Sequence, residues 1–271
     1  MKFGGASLAT AAHFDHISHR ILKKLASTSQ IIVVVSAMGK TTDDLIALAQ
    51  SVNPSPPQRE YDMLLTVGER ISMSLLAMKL ASKGVPAISL TGSQAGIITC
   101  NHHTDAKILD IRPHRIHTAL QKSPIVIVAG FQGVSKGGEI TTLGRGGSDT
   151  SAVALGIALQ AHIIEFYKDV PGFFSHDPKL HSTAQRLATL SYHEALHIVT
   201  QQDGKILHKR ALEMAEMHEM PLAIFPFIGE EEGSYIGTSN SSSRMCRKEN
   251  EADFEKCHLC CSQDPCLVSQ R

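Results

Sequence analysis

The sequence predicts an α/β fold, a mainly parallel sheet with helices on both faces. Two runs carry that reading, Ile31 to Ser36 (IIVVVS) and Pro124 to Ala129 (PIVIVA). Both are continuous and β-branched where a half-exposed strand would alternate, the pattern of a strand buried on both sides. Helical periodicity separates such runs, and that alternation favours parallel strands joined by helical crossovers.

With 271 residues and 42% hydrophobic side chains, the chain has material for a sizeable core. Cationic and anionic side chains number 26 each. No overall field therefore draws the protein to nucleic acid or to a membrane surface. No apolar run approaches the ~18 residues of a membrane span, and no basic segment followed by an apolar core opens the chain. A cytoplasmic location is expected.

Taken in order, residues 1–8 (MKFGGASL) read as the end of a strand turning through Gly4 and Gly5 into a helix, with Ser7 near its cap. Only Met1 precedes Lys2, so the first strand is expected to be clipped or to begin upstream. In Ala11 to Leu25, the residues Phe14, Ile17, Ile21, Leu22 and Leu25 fall on one helical face. After the first buried run, Gly39, Lys40, Thr41 and Thr42 form a loop at a strand's carboxyl end, where open α/β sheets bind ligands. An ordinary capped turn explains that loop equally well. Ser51 to Gln58 is a proline-rich break. Tyr61 to Leu80 reads as one long amphipathic helix, in which Gly68 marks a place of close approach and the adjacent Glu69 and Arg70 read locally as surface. Val85 to Leu90 is a short strand and Lys107 to Ile111 a further short element. The strand Pro124 to Ala129 ends at Gly130-Phe131-Gln132-Gly133.

The turn at Thr141 to Leu159 (TTLGRGGSDTSAVALGIAL) organises the rest. Gly144, Gly146 and Gly147 surround Arg145, and Ser148, Asp149, Thr150 and Ser151 supply helix-capping chemistry before a small-residue apolar helix. Glycines before a helix leave amides free to converge on an anion. Arg145 adds a fork that fits a carboxylate or phosphate, and Asp149 can hold a cation or an ammonium. A loop that merely caps a core helix is the plainer reading, but so many polar groups in one turn favour a site.

Beyond it, His162 to Phe166 is a strand leading into the turn-rich YKDVPGFFSHDPKL, whose Tyr167, Phe173 and Phe174 either stack on a flat ring or bury. Ser191 to Met217 is mostly helical with a break at Asp203-Gly204, which puts Lys205 at a second helix start. Leu222 to Phe227 closes the core. Residues 239–271 are polar and without apolar periodicity, a Cys-rich tail expected to be disordered. Cys257, His258, Cys260, Cys261 and Cys266 include a zinc-like Cys-x-x-Cys spacing. Closed zinc sites need four well-placed ligands, though, and the remaining spacing is irregular.

Together these stretches resemble one family, the aspartate kinases of the amino acid kinase superfamily. KFGGASL, SAMGKTTDDL, LTVGER, TTLGRGGSDTSA, YKDVPGFFSHDP and the pair SYHEAL and GKILH follow the family's motifs in order, within Lys2 to Thr238. The resemblance implies a three-layer αβα sandwich around a mainly parallel sheet of about eight strands, with residues 1–238 as the catalytic domain. It implies transfer of a phosphoryl group from ATP, with Mg²⁺, to the side-chain carboxylate of L-aspartate. The products are 4-phospho-L-aspartate and ADP, at the entry to lysine, diaminopimelate, threonine and methionine synthesis.

By that resemblance Lys2 stabilises charge on the transferring group and Asp149 organises lysine and substrate. Thr42 contacts the substrate, Glu69 receives its ammonium, and Arg145 grips its α-carboxylate, with Gly146 and Ser148 in the same turn. Gly4, Gly5 and Ser7 form the phosphate-contacting turn. Lys168 and Asp169 fall by the adenosine, Phe174 by the base, and Lys179 and Lys205 by the phosphates. No protein side chain is assigned to metal, and a homodimer is the assembly considered. Departures are Phe174 where tyrosine is common, Lys179 where arginine is common, and His208-Lys209 in place of His-Pro. The paired ACT domains of many aspartate kinases have no counterpart in this sequence, so feedback inhibition by that route is not expected. Two other readings stand beside this one: another acyl-phosphate-forming amino acid kinase, such as one for glutamate, and a non-catalytic or partner-dependent remnant.

Overall fold

A computed structural model describes residues 1–176, 183–201, 206–230 and 232–238. In chain order its strands are Lys2–Phe3 (β1), Ile31–Val35 (β2), Ala87–Leu90 (β3), Ile97–Thr99 (β4), Ile108–Ile111 (β5) and Ile125–Ala129 (β6). They continue as Gln132–Ser135 (β7), Ile140–Thr142 (β8), Ile164–Lys168 (β9), Thr189–Leu190 (β10), Leu222–Pro226 (β11) and Ser234–Ile236 (β12). The helices are Ala11–Leu25 (α1), Thr41–Val52 (α2), Gln58–Leu65 (α3), Val67–Ser82 (α4), His114–Leu120 (α5), Gly147–Ala158 (α6), Tyr192–Gln201 (α7) and Lys209–Met217 (α8).

The expected αβα sandwich is present. An 8-stranded sheet runs β10-β12-β11-β9-β1-β2-β6-β3, parallel throughout except where β12 pairs with β11. Its β-branched runs are buried because alternate side chains feed two separate cores. Ile31, Val33 and Val35 of β2, with Ile125 and Ile127 of β6, pack on Phe14, Ile17 and Ile21 of α1 and Leu76 and Leu80 of α4. Val34, Val126 and Val128 point the other way, into a core with Val153 and Leu155 of α6 and Leu212 of α8. Each large apolar side chain so buried contributes roughly 1.5–3 kcal/mol. Among the described residues, no helix is long and apolar enough to cross a membrane.

Four expectations need correction. The helix read from Tyr61 to Leu80 is two, α3 and α4, interrupted at Thr66, whose carbonyl accepts a hydrogen bond from the Gln132 side chain at 3.1 Å. Ala6–Leu8 is a single 3-10 turn, and the first α-helix begins only after Thr10. The cap of α6 is Gly146, in the left-handed region at φ 73°, so Ser148 and Asp149 sit within the first turn and make no side-chain cap bond. A second, 4-stranded sheet, β5-β4-β7-β8, packs beside α3, and the sequence does not announce it because its strands are only three or four residues long. The first strand, two residues long, is central: β1 pairs with both β2 and β9.

Candidate active site

The carboxyl ends of β1, β2 and β6 meet the start of α6 around an open cleft of about 280 Å³. The chain leaves β1 towards β2 and later returns to β9 on its other side, so the cleft lies at a topological switch point of the sheet. Of the residues singled out from sequence, Lys2, Gly5, Thr42, Glu69, Arg145, Gly146, Ser148 and Asp149 line it.

One end of the cleft is a closed cation cluster. Asp149, in the first turn of α6, accepts Lys2 Nζ at 2.5 Å and Lys168 Nζ at 3.2 Å. Burial alone would raise the Asp149 carboxyl, but Lys168 and Lys2 beside it hold it well below the usual carboxylate range. The positive end of the helix dipole favours the same ionised form. Burial lowers the Lys2 ammonium to about 8, with Asp149 opposing the shift. Asp149 therefore stays ionised and serves as a fixed anchor for two ammoniums, leaving the cluster with one positive charge in excess. Lys168, assigned to the adenosine by resemblance, turns its ammonium to this cluster because β9 ends beside α6.

The other end is open in the chemical sense. Glu69 is 3% exposed, and its Oε1 accepts the Ala37 N–H at 3.0 Å. Its Oε2 is equally buried and has no hydrogen-bond partner among the described residues. Burial pushes this carboxyl up to about 7, against the pull of the Ala37 amide and of Lys2. Gly68 makes the arrangement possible: a Cβ there would stand 2.7 Å from the Ala37 Cβ, so only glycine lets α4 start this close to the end of β2. Arg145 is exposed at the cleft, and among the described residues no acid pairs with it. The turn carrying it is held by close packing. A Cβ on Gly146 would fall 2.1 Å from the His208 ring. Burial, with Arg210 and Arg145 nearby, lowers the His208 imidazole below its ordinary value, opposed by Asp149 and Asp105. Phe131, in the cleft wall, adopts φ 67°, a strained value that the surrounding hydrogen bonds hold in place.

The remaining sequence-derived positions fall elsewhere. Gly4 lies beside the Lys2 ammonium, and Asp169 is exposed beyond β9. Ser7 turns inward: its hydroxyl donates to the Tyr167 carbonyl at 3.2 Å and its N–H to Gly4, which leaves neither for a phosphate. Of the three aromatics, Tyr167 stacks on Phe3 at 4.8 Å and Phe173 is fully buried, while Phe174 is half-buried and bridges to Arg186. Lys179, Lys205 and the tail 239–271 with its cysteines lie outside the described residues. Sequence reasoning missed the Ala37 amide, Phe131 as a wall residue, and the buried Asp62 discussed below. Among the described residues no group of three or more His, Cys, Asp or Glu side chains is arranged to hold a metal ion.

Residues 1–226 match the amino acid kinase family. An aspartokinase from Geobacillus stearothermophilus is 47% identical over 235 residues, covering 87% of this chain and 58% of that protein. The chain thus spans little more than half the length of such relatives. The crystal structure of an aspartate kinase from Synechocystis superposes with a TM-score of 0.77 at 43% identity, over 87% of this chain and 39% of that one. The UMP kinase of Bacillus anthracis superposes with a TM-score of 0.64 at 21% identity, over 88% of this chain and 94% of that one, which marks a common fold.

Proposed function

This chain belongs to the amino acid kinase family, and from that premise we propose that it is the catalytic portion of an aspartokinase. The reaction is transfer of the γ-phosphoryl group of ATP to the side-chain carboxylate of L-aspartate. The observation that carries this reading is the buried Oε2 of Glu69, without a hydrogen-bond partner among the described residues, in the same cleft as Arg145, which pairs with no described acid. A zwitterionic amino acid offers an ammonium for the first and an α-carboxylate for the second. A uridylate substrate offers no cation for a buried carboxylate, which sets this cleft apart from a nucleoside-monophosphate site.

The attacking carboxylate is ionised at neutral pH and needs no general base. The task is to bring two anions together, which phosphoryl transferases do by positioning and charge neutralisation. Lys2 and the positive start of α6 face the point where negative charge develops. Asp149 keeps Lys2 in place and Lys168 beside it, while Gly4 and Gly5 let the phosphates approach the backbone. Arg145 grips the α-carboxylate bidentately, and Thr42 and Ser148 supply hydroxyls along the substrate. Mg²⁺ would arrive on the nucleotide phosphates, keep several waters, and neutralise charge there. We assign this activity to residues 1–238, with the protein cytoplasmic, acting at the entry to lysine, diaminopimelate, threonine and methionine synthesis, and a homodimer as its simplest assembly.

The test is ADP release from MgATP with L-aspartate, trapping the acyl phosphate with hydroxylamine. Aspartate-dependent hydroxamate that disappears in Lys2→Ala is the expected result. Preference for L-glutamate would shift the assignment to a different acidic amino acid. No turnover in folded, ATP-binding protein would point to the partner-dependent reading.

A further inference from the structure

We propose that Asp62 is a positioning residue that sets the spacing between Glu69 and Arg145 and so selects the length of the acidic substrate, a proposal that rests on the aspartate reading above. Asp62 is fully buried on α3 and takes no part in the cleft wall. Its carboxylate is nevertheless filled. Oδ1 accepts the Thr142 hydroxyl at 2.6 Å, the Thr104 N–H lies 3.1 and 3.0 Å from the two oxygens, and His103 Nδ1 lies 2.8 Å from Oδ2.

These bonds join the two jaws of the proposed clamp. On one side, Asp62 stands one helical turn before Thr66, whose N–H donates to the Asp62 carbonyl, and Thr66 leads directly into α4 and Glu69. On the other, Thr142 ends β8 and leads through Leu143 and Gly144 to Arg145. A second buried tie runs alongside: Gln132 donates to the Thr66 carbonyl at 3.1 Å, and Gln132 is the register partner of Thr142. The helix that carries Glu69 and the strand that feeds Arg145 are therefore locked together twice.

The loop held by Asp62 reinforces the same turn. Thr104 adopts φ 69°, costly for a β-branched residue, and Asp62 is what holds its N–H. The next residue, Asp105, pairs with Arg210 of α8 and presses on the turn, since a Cβ on Gly144 would lie 2.7 Å from its Oδ1. A buried carboxylate is expensive unless its acceptor sites are filled, and filled networks fix geometry. Aspartate and glutamate differ by one methylene, so a clamp of fixed span is what tells them apart.

Steady-state kinetics on the full chain test this with wild type, Asp62→Asn, Thr142→Val and Thr142→Ser. Asp62→Asn and Thr142→Val should raise the KM for aspartate about tenfold, cut the kcat/KM preference over glutamate by a similar factor, and leave the KM for MgATP within about twofold. Thr142→Ser keeps the hydroxyl and should behave as wild type. A mere strut would lower the melting temperature without moving the aspartate-to-glutamate ratio. An unchanged ratio in folded variants, or equal shifts in both KM values, overturns the proposal. If Asp62→Asn does not fold, Thr142→Val decides, because it removes a single bond. A wild type without aspartate turnover sinks the substrate reading itself, and the role of Asp62 with it; an active wild type with unaltered variants sinks only the latter.

Discussion

The two ends of the cleft treat charge in opposite ways. Around Asp149 every ionic group has its partner before any ligand arrives, and the three side chains form a closed, buried set. Around Glu69 and Arg145, one carboxylate oxygen is buried with no described hydrogen-bond partner and one guanidinium has no described acid beside it. The first arrangement is a preorganised framework, which needs no rearrangement when negative charge develops. The second is strained without ligand, and the cost of burying Glu69 is relieved when a cation binds. A framework tolerates neither loss nor reversal, whereas a receptor should lose mainly its ligand.

That contrast can be broken at several points. The largest expected effect is on stability at the closed end. Asp149→Ala leaves two ammoniums facing each other in a buried site and should cost about 3–5 kcal/mol in urea unfolding. If stability is unchanged, the cluster is not a framework. Lys2→Ala should fold and bind aspartate yet lose about 10²–10³-fold in kcat, since it removes one donor to the transferring group. At the open end Glu69→Gln should raise the KM for aspartate by about 10²-fold with little change for MgATP, because it deletes one charge of a desolvated pair. Equal changes in both KM values would merge the two ends into one network. The smallest effect concerns the close approach that builds the receptor: Gly68→Ala overpacks the Ala37 contact and should destabilise by about 1–3 kcal/mol. A neutral result in a thermal melt would mean that α4 can retreat from β2 without loss.

The sequence revealed these two regions unevenly. The central strands β2 and β6 were legible because burial on both faces writes a continuous β-branched run into the chain. The turn before α6 was legible too, since its glycines, Arg145 and Asp149 are consecutive. Glu69 was not legible from its own surroundings. Next to Arg70 on a helix it reads as surface, and its assignment came only by resemblance. Its burial depends on Gly68 meeting Ala37, a contact across the fold that no local pattern records. Gly68 itself was the one visible trace of it. Asp62 left no trace at all, because its partners His103, Thr104 and Thr142 come from a second sheet and loop whose strands are too short to announce themselves. The same absence of a local signal made α3 and α4 read as one helix. For Ser7, a capping-type residue after two glycines matched a phosphate turn, but the hydroxyl serves the neighbouring strand β9.

The central claim is that Glu69 waits for a cation, and calorimetry of L-aspartate binding at pH 7 tests it most directly. Burial holds the free carboxyl at about 7, so it is partly protonated there. An incoming ammonium favours the carboxylate and lowers that value, so binding must release a proton and tighten as pH rises through 7. Titrations in two buffers of different ionisation heat should therefore give net release of a fraction of a proton per site in wild type that is lost in Glu69→Gln. Binding without proton release in the wild type, or release that persists in Glu69→Gln, would contradict the account.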